Sequence, residues 1–290
     1  DHFIRPLAYE LLGDGIDQDC DGFDLEKTIK TGGAHTCGID TSGSIICFGA
    51  KEEDYGQSLQ APNGSFTTMD AGLVHNCAVN SESGVECWGA GGTVGLEPHF
   101  GQSMVPLLDE VVKVAVGGYH SCALTMDQEV TCWGALQVLA PEGPFVDISL
   151  GLYHSCGLRL NGDVECWKAG SEARDNGPFA VPEGVVFRQI SSGAEHVCGL
   201  DAEGVVHCWG AGESDLGVAP DYGQSIVPAG VYTRVVSGDY HSCAQDESGL
   251  VECTSPSTRK QCGVVKTSSD GMLGLQVIPF WASEAPPIHS

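Results

Sequence analysis

The sequence is poor in basic residues: 13 Lys and Arg stand against 39 Asp and Glu, a formal charge of −26. A chain this acidic repels phosphate backbones, so no sequence-independent nucleic-acid binding is expected, and attachment to anionic lipid is disfavoured for the same reason. No apolar run approaches the ~20 residues of a membrane-spanning helix, so no membrane span is expected either. Linear enzyme signatures are lacking: there is no G-x-S-x-G elbow, no H-E-x-x-H and no P-loop, and the chain is read as a non-enzyme. It starts at Asp1 with no charged-then-apolar leader, and so reads as a mature or trimmed product.

What the sequence does have is glycine (40), cysteine (14) and repetition. The stretch "AGLVHNCAVNSESGVECWG" (71–89) recurs as "TGGAHTCGIDTSGSIICFG" (31–49), "VGGYHSCALTMDQEVTCWG" (116–134), "LGLYHSCGLRLNGDVECWK" (150–168), "SGAEHVCGLDAEGVVHCWG" (192–210) and "SGDYHSCAQDESGLVECTS" (237–255). Each copy places a His two residues before a Cys and a second Cys ten residues beyond the first. The histidines are His35, His75, His120, His154, His196 and His241. The cysteine pairs are Cys37/Cys47, Cys77/Cys87, Cys122/Cys132, Cys156/Cys166, Cys198/Cys208 and Cys243/Cys253.

Between the two cysteines lie a short apolar segment, a polar turn that usually contains Gly, and a second apolar segment, the pattern of a β-hairpin. Folding it about its centre sets the two cysteines opposite one another on one face, which predicts one disulfide per copy. A loop this short contributes roughly 2–3 kcal/mol per bridge on the chain-entropy argument. The rival reading is a metal site. Zinc collects four ligands from two neighbouring ligand pairs, and no second pair lies nearby in sequence. Six bridges imply an oxidising compartment: extracellular, cell surface or periplasmic.

The six imidazoles admit two readings: a ring of metal or haem ligands, or a repeated polar fastening that hydrogen-bonds backbone within or between units. The second is preferred. The aromatic after each second cysteine (Phe48, Trp88, Trp133, Trp167, Trp209) is read as inter-unit packing. Successive histidines are 40, 45, 34, 42 and 45 residues apart, a period suited to a four-stranded propeller blade or a solenoid unit.

Written out, the unit is Gly-x-x-His-Ser-Cys-Ala-Leu, a turn, Val-x-Cys-Trp-Gly, then a variable loop that often holds "DYGQS" (54–58, 221–225) or "HFGQS" (99–103). It resembles the regulator-of-chromosome-condensation repeat family, over about Thr28 to Cys253. The resemblance implies an all-β, closed β-propeller with one disulfide-closed hairpin per blade, of the secreted, disulfide-rich bacterial variety to which a β-lactamase inhibitor belongs. Six blades are favoured. A degenerate seventh, built from 254–290 with the N-terminal segment, is the alternative. The loops after copies two and five (88–106, 209–228) are alike, which suggests duplication of a three-blade half. The domain reading is an acidic segment, 1–27, followed by a propeller, 28–290.

Several segments break the pattern. Asp14, Asp17, Asp19, Asp21 and Asp24 lie along "GDGIDQDCDGFD", with Asp17, Asp19 and Asp21 at alternate positions before Gly22, as a hard cation requires, and the run also resembles the Asp-rich metal-binding motif of secreted bacterial proteins; calcium is the cofactor expected there. The rival is a solvated acidic turn. Cys20 and Cys262 lie outside the repeats and suit a bridge that ties the chain ends; the rival reading has one or both as an intermolecular link. Arg259, Lys260 and Lys266 form the one locally basic loop, read equally as a contact site or as an ordinary loop at the closure; with Trp281 in an apolar tail they are the candidates for partner contact.

The function expected is therefore an extracellular, non-catalytic protein–protein interaction module, with a structural subunit of a surface or appendage assembly as one form of it. Calcium-dependent glycan or ligand binding and secreted enzyme inhibition are the alternatives.

Overall fold

A computed structural model describes residues 29–254, apart from 41, 51–53, 96, 136–138, 170–178, 213–214, 219–220 and 228. The acidic N-terminal segment and the segment from 255 onward lie outside the described residues. So do Cys20, Cys262 and the seventh-blade alternative.

Each repeat is a three-stranded antiparallel sheet, and there are six among the described residues. Blade 1 comprises β1 (Ile29–Thr31), β2 (His35–Ile39) and β3 (Ile45–Gly49), and blade 2 β4 (Phe66–Ala71), β5 (His75–Asn80) and β6 (Val85–Gly89). Blade 3 is β7 (Val111–Val116), β8 (His120–Thr125) and β9 (Val130–Gly134), and blade 4 β10 (Asp147–Leu150), β11 (His154–Leu158) and β12 (Val164–Lys168). Blade 5 is β13 (Phe187–Ser192), β14 (His196–Asp201) and β15 (Val206–Gly210). A small hairpin, β16 (Asp215–Val218) with β17 (Asp221–Tyr222), precedes blade 6, which is β18 (Arg234–Gly238), β19 (His241–Gln245) and β20 (Val251–Cys253). The fold is an all-β propeller. Among the described residues its blades carry three strands rather than the four that suit the repeat length.

The hairpins form where the cysteine spacing predicts. In every blade the two cysteines are directly opposed in the register. The bridges are Cys37–Cys47, Cys77–Cys87, Cys122–Cys132, Cys156–Cys166, Cys198–Cys208 and Cys243–Cys253, with Cα atoms 3.9–4.1 Å apart. The disulfide reading holds and the metal reading is overturned. The two members of a bridge are nevertheless not equivalent, which the hairpin pattern alone does not predict. Cys37, Cys77, Cys122, Cys156 and Cys198 are fully buried on the central strand. Their partners Cys47, Cys87, Cys132, Cys166 and Cys208 are only partly buried. They lie on the outermost strand, where each packs at the margin of a hydrophobic cluster.

Four of the six hairpin tips are closed by a side-chain acceptor: Asp40, Asn80, Asp201 and Asp246 each take two backbone N–H groups, two and four residues on. This local hydrogen bonding is what Asx residues offer at a turn.

Blades pack in sequence, the first strand of each lying against the first two strands of the blade before it. The aromatic after the second cysteine covers the previous blade's first cysteine and the apolar residue two positions on. Trp88 lies over Cys37 and Ile39, Trp133 over Cys77 and Val79, Trp167 over Cys122 and Leu124, and Trp209 over Cys156 and Leu158. Phe48 departs from this pattern and is 64% exposed. In blade 6, where the aromatic is missing, Tyr232 packs on Cys198 and Leu200 instead.

The histidines fasten blades, but through side chains of the next blade rather than through backbone. His35 Nε2 donates to Asn76 Oδ1 at 2.6 Å. His75, His120 and His196 bond Ser121, Ser155 and Ser242 Oγ at 2.9, 2.8 and 2.7 Å. In each case the partner is the residue after the next blade's histidine. The repeat glycine ahead of each histidine follows from the same approach: a Cβ on Gly117 would stand 2.5 Å from the Gly151 carbonyl oxygen and 2.5 Å from the His120 ring, so only glycine fits.

Of the five histidines that a described blade follows in sequence, His154 is the exception. The residue it should meet is Val197, which has no polar atom, and His154 Nε2 is buried without a partner among the described residues. A buried orphan is costly. Val197→Thr supplies a hydroxyl in nearly the same volume. Such a change in an apolar core would normally cost 1–3 kcal/mol; here it is expected to be neutral or to stabilise by about 1 kcal/mol. Urea midpoints of the two proteins decide it, and a loss above about 1 kcal/mol would sink the idea.

Candidate functional site: the turn face

The antiparallel register puts two kinds of segment at one end of every blade. The Gly-x-x-His turn joins the first and second strands, and the third strand ends opposite the histidine, as Gly49 opposite His35 and Gly134 opposite His120. The loop leaving each blade therefore starts on the same face as the turns.

Three of those loops carry the Gly-Gln-Ser sequence, and the glutamine organises them. Gln57, Gln102 and Gln224 are buried. Each turns its side-chain carbonyl back to accept the N–H two residues earlier, from Tyr55 at 2.6 Å, Phe100 at 2.8 Å and Tyr222 at 2.8 Å. Gly56 and Gly101, at φ +100 and +81, make the intervening bend.

The glutamine main-chain carbonyl then binds the next blade. Gln57 O accepts from Trp88 Nε1 and Asn76 Nδ2, both at 3.0 Å. Gln102 O accepts from Trp133 Nε1 at 2.9 Å and Ser121 Oγ at 3.1 Å. In blade 6 the Thr254 hydroxyl replaces the missing indole on Gln224 O, at 3.3 Å. Because Ser121 donates to Gln102 O, it accepts from His75, which fixes the Nε2–H tautomer of that ring. Trp167 Nε1, whose blade follows a loop without Gly-Gln-Ser, is buried with no partner among the described residues.

The buried imidazoles are held neutral. Burial first, and neighbouring imidazoles second, push His75, His120 and His196 down to about 3, while burial alone takes His154 to about 4. His75, His120 and His196 are each engaged with the neighbouring blade, and no cluster of three metal-ligating side chains occurs among the described residues.

The residues these loops and turns leave at the surface are aromatic and acidic. Tyr55 meets His99 edge-on at 5.9 Å, Phe100 meets Tyr119 at 5.4 Å, and Tyr119 lies 5.8 Å from Tyr153. Three blades on, Tyr222 and Tyr240 form an equivalent edge-on pair at 5.3 Å. Gly91 N–H donates to His99 Nδ1 at 3.1 Å and fixes that ring. Gln102 Nε2 donates to the Pro98 carbonyl at 2.6 Å and so positions the adjoining Glu97. Glu97 Oε1 accepts the Tyr119 hydroxyl at 2.9 Å. Burial first, then that carboxylate, raise the Tyr119 phenol well above its ordinary value. Tyr55, Gln57, Glu97, Pro98 and Tyr119, with the turns of blades 1 and 2, enclose a cleft of about 450 Å³.

None of these surface residues stands among the candidates drawn from sequence. Asp14, Asp17, Asp19, Asp21 and Asp24, with the calcium they would hold, and Arg259, Lys260, Lys266 and Trp281 all lie outside the described residues. The available signal was the aromatic that precedes Gly-Gln in all three loop copies, together with the tyrosine before the histidine in three of the six turns.

With that geometry in hand, the class of protein is defined. Residues 111–135 and 187–215, covering the sheets of blades 3 and 5, match the Regulator of chromosome condensation (RCC1) repeat. The chain carries RCC1 repeats, and its fold is that of the RCC1-like propellers. The entire ectodomain of the Physcomitrella patens receptor kinase CR4 aligns with 24% identity and a TM-score of 0.61, over 78% of this chain and 62% of that one. The chain thus spans less than two thirds of the moss ectodomain. The CRINKLY WD40 ectodomain of the Arabidopsis thaliana receptor kinase ACR4 aligns at 23% identity and TM-score 0.59, over 78% and 83%. Prp20p from Saccharomyces cerevisiae, whose structure was described with its binding to Gsp1p and histones, aligns at 18% and 0.61, over 78% and 70%. At these identities the likeness establishes fold alone. No curated protein matches the chain in sequence.

Proposed function

We propose that the protein is an extracellular, non-catalytic interaction module that meets a protein partner with its turn face. The observation that carries this reading is the run of partly exposed aromatic rings on that face, those of the loops anchored through their backbone by buried glutamines, since rigid tyrosines are the side chains that dominate protein contacts. Six disulfides favour an extracellular location. Two of the similar structures are receptor ectodomains, and Prp20p binds proteins. No helix among the described residues is long and apolar enough to cross a membrane.

The test is cross-linking mass spectrometry on protein purified from its source, repeated with two variants. Tyr119→Ala/Tyr153→Ala on the turn face is expected to lose at least 80% of the cross-links to the main partner. Leu160→Asp, at an exposed hairpin tip on the opposite face, is expected to keep them. The reverse pattern would move the contact to the tips. Recovery of a glycan whose binding a chelator abolishes would replace the protein-partner reading altogether.

A further inference from the structure

We propose that the cleft between Tyr55 and Tyr119 receives the charged end of an arginine or lysine side chain from the partner. This rests on the turn face being the contact surface and specifies what enters it.

The chemistry is cationic on three counts. Tyr55 and Tyr119 both line the cleft, and an aromatic face attracts a guanidinium or ammonium through its ring quadrupole. Glu97 lines it too and is held in place by the Tyr119 hydroxyl, so a carboxylate stands beside the rings to pair with the charge. Among the described residues, no Lys or Arg lines the cleft to occupy or repel that position. Around it is a molecule of formal charge −26, which draws basic partners in from a distance.

The second aromatic pair supports the same reading. At Tyr222 and Tyr240 the matching loop reads "APDYGQS" where the first reads "EPHFGQS", so Ala219 stands at the position of Glu97. A carboxylate is nevertheless close by: Asp239 and Glu195 both act on Tyr240, whose phenol is raised by burial first and by these charges next. The acid comes from a turn there and from a loop at the first cleft. Repetition of sequence does not account for that, whereas a common demand for a cation does.

The experiment uses the intact chain with its seven tyrosines carrying ¹³C-labelled rings, titrated with N-acetyl-arginine amide, N-acetyl-lysine amide and, as a neutral control, N-acetyl-norleucine amide. The arginine or lysine probe is expected to shift the Tyr55 and Tyr119 ring signals saturably, and norleucine is not. Tyr55→Ala and Glu97→Gln should each weaken that binding about tenfold. Glu82→Gln, which removes an exposed charge at the blade 2 hairpin tip, should change it less than twofold. All three variants must retain the parental melting transition.

Equal shifts with norleucine would make the cleft merely apolar. Equal weakening by Glu97→Gln and Glu82→Gln would reduce the effect to diffuse attraction. An absence of saturable shifts would remove the site. If any of these occurs while Tyr119→Ala/Tyr153→Ala still abolishes partner cross-links, the contact surface stands and only the cation pocket falls.

Discussion

Reduction of the disulfides is expected to unfold the protein at neutral or mildly alkaline pH. Each of the six bridges spans a sequence separation of ten, and on the chain-entropy argument each contributes about 2–3 kcal/mol. Together they reach on the order of 15 kcal/mol, as much as the whole stability of an ordinary domain. The order of reduction is also set by the fold. In blades 1 to 5 the first cysteine of each pair is fully buried, four of them beneath the next blade's tryptophan. A thiolate must therefore approach those bridges from the side of Cys47, Cys87, Cys132, Cys166 or Cys208, which are partly buried. Both members of Cys243–Cys253 are only partly buried. That bridge should open first and the other five later, as the blades separate. Limited dithiothreitol treatment, alkylation and peptide mapping would show the order, and circular dichroism the loss of sheet. A cooperative melt that survives complete alkylation of the reduced protein would refute the argument.

Acid is the second large effect. His75, His120 and His196 titrate at about 3 in the folded chain and His154 at about 4, whereas the unfolded value is about 6.5. A folded pKa below the unfolded one means that the unfolded chain takes up protons first. Stability is therefore complete above pH 6.5 and is lost as the pH falls from there toward 3. From pH 7 to pH 5 each histidine gives up about 2 kcal/mol, and the four together several times that.

Relief of repulsion among the 39 acidic side chains works in the opposite direction, but only near their own pKa of about 4. At still lower pH a further loss sets in at the hairpin tip of blade 1. There the Ser42 hydroxyl first, and the Ser44 and Ser42 N–H groups next, hold the Asp40 carboxyl below its ordinary value. Melting temperature should thus drop steeply between pH 7 and pH 5, with about four protons taken up on unfolding at pH 5. A flat melting temperature over that interval would mean that the imidazoles are not buried as described.

The contrast between Val197 and its counterparts shows how far the repeat pattern reaches. Writing the unit as Gly-x-x-His-Ser-Cys places a hydroxyl after most histidines, yet nothing in that string says that the hydroxyl serves the histidine of the blade before. That pairing joins residues 35 to 46 positions apart. The Gly-Gln-Ser loops present the same difficulty. Their recurrence was visible, but the task of the glutamine, main-chain carbonyl to the next blade and side chain to its own loop, was not.

The sequence by itself determined the six repeats, the hairpin in each and the partner of every repeat cysteine. These depend on alternation and spacing within about ten residues, which local chain geometry converts directly into register. Only the tertiary structure decided that the histidines bond forward to the next blade, that the repeat glycines are required by a neighbouring carbonyl, and that Tyr55 and Tyr119, from separate segments, line one cleft with Glu97. Those contacts depend on how one sheet sits on the next, an offset fixed by packing across blades and carried by no single stretch of the chain.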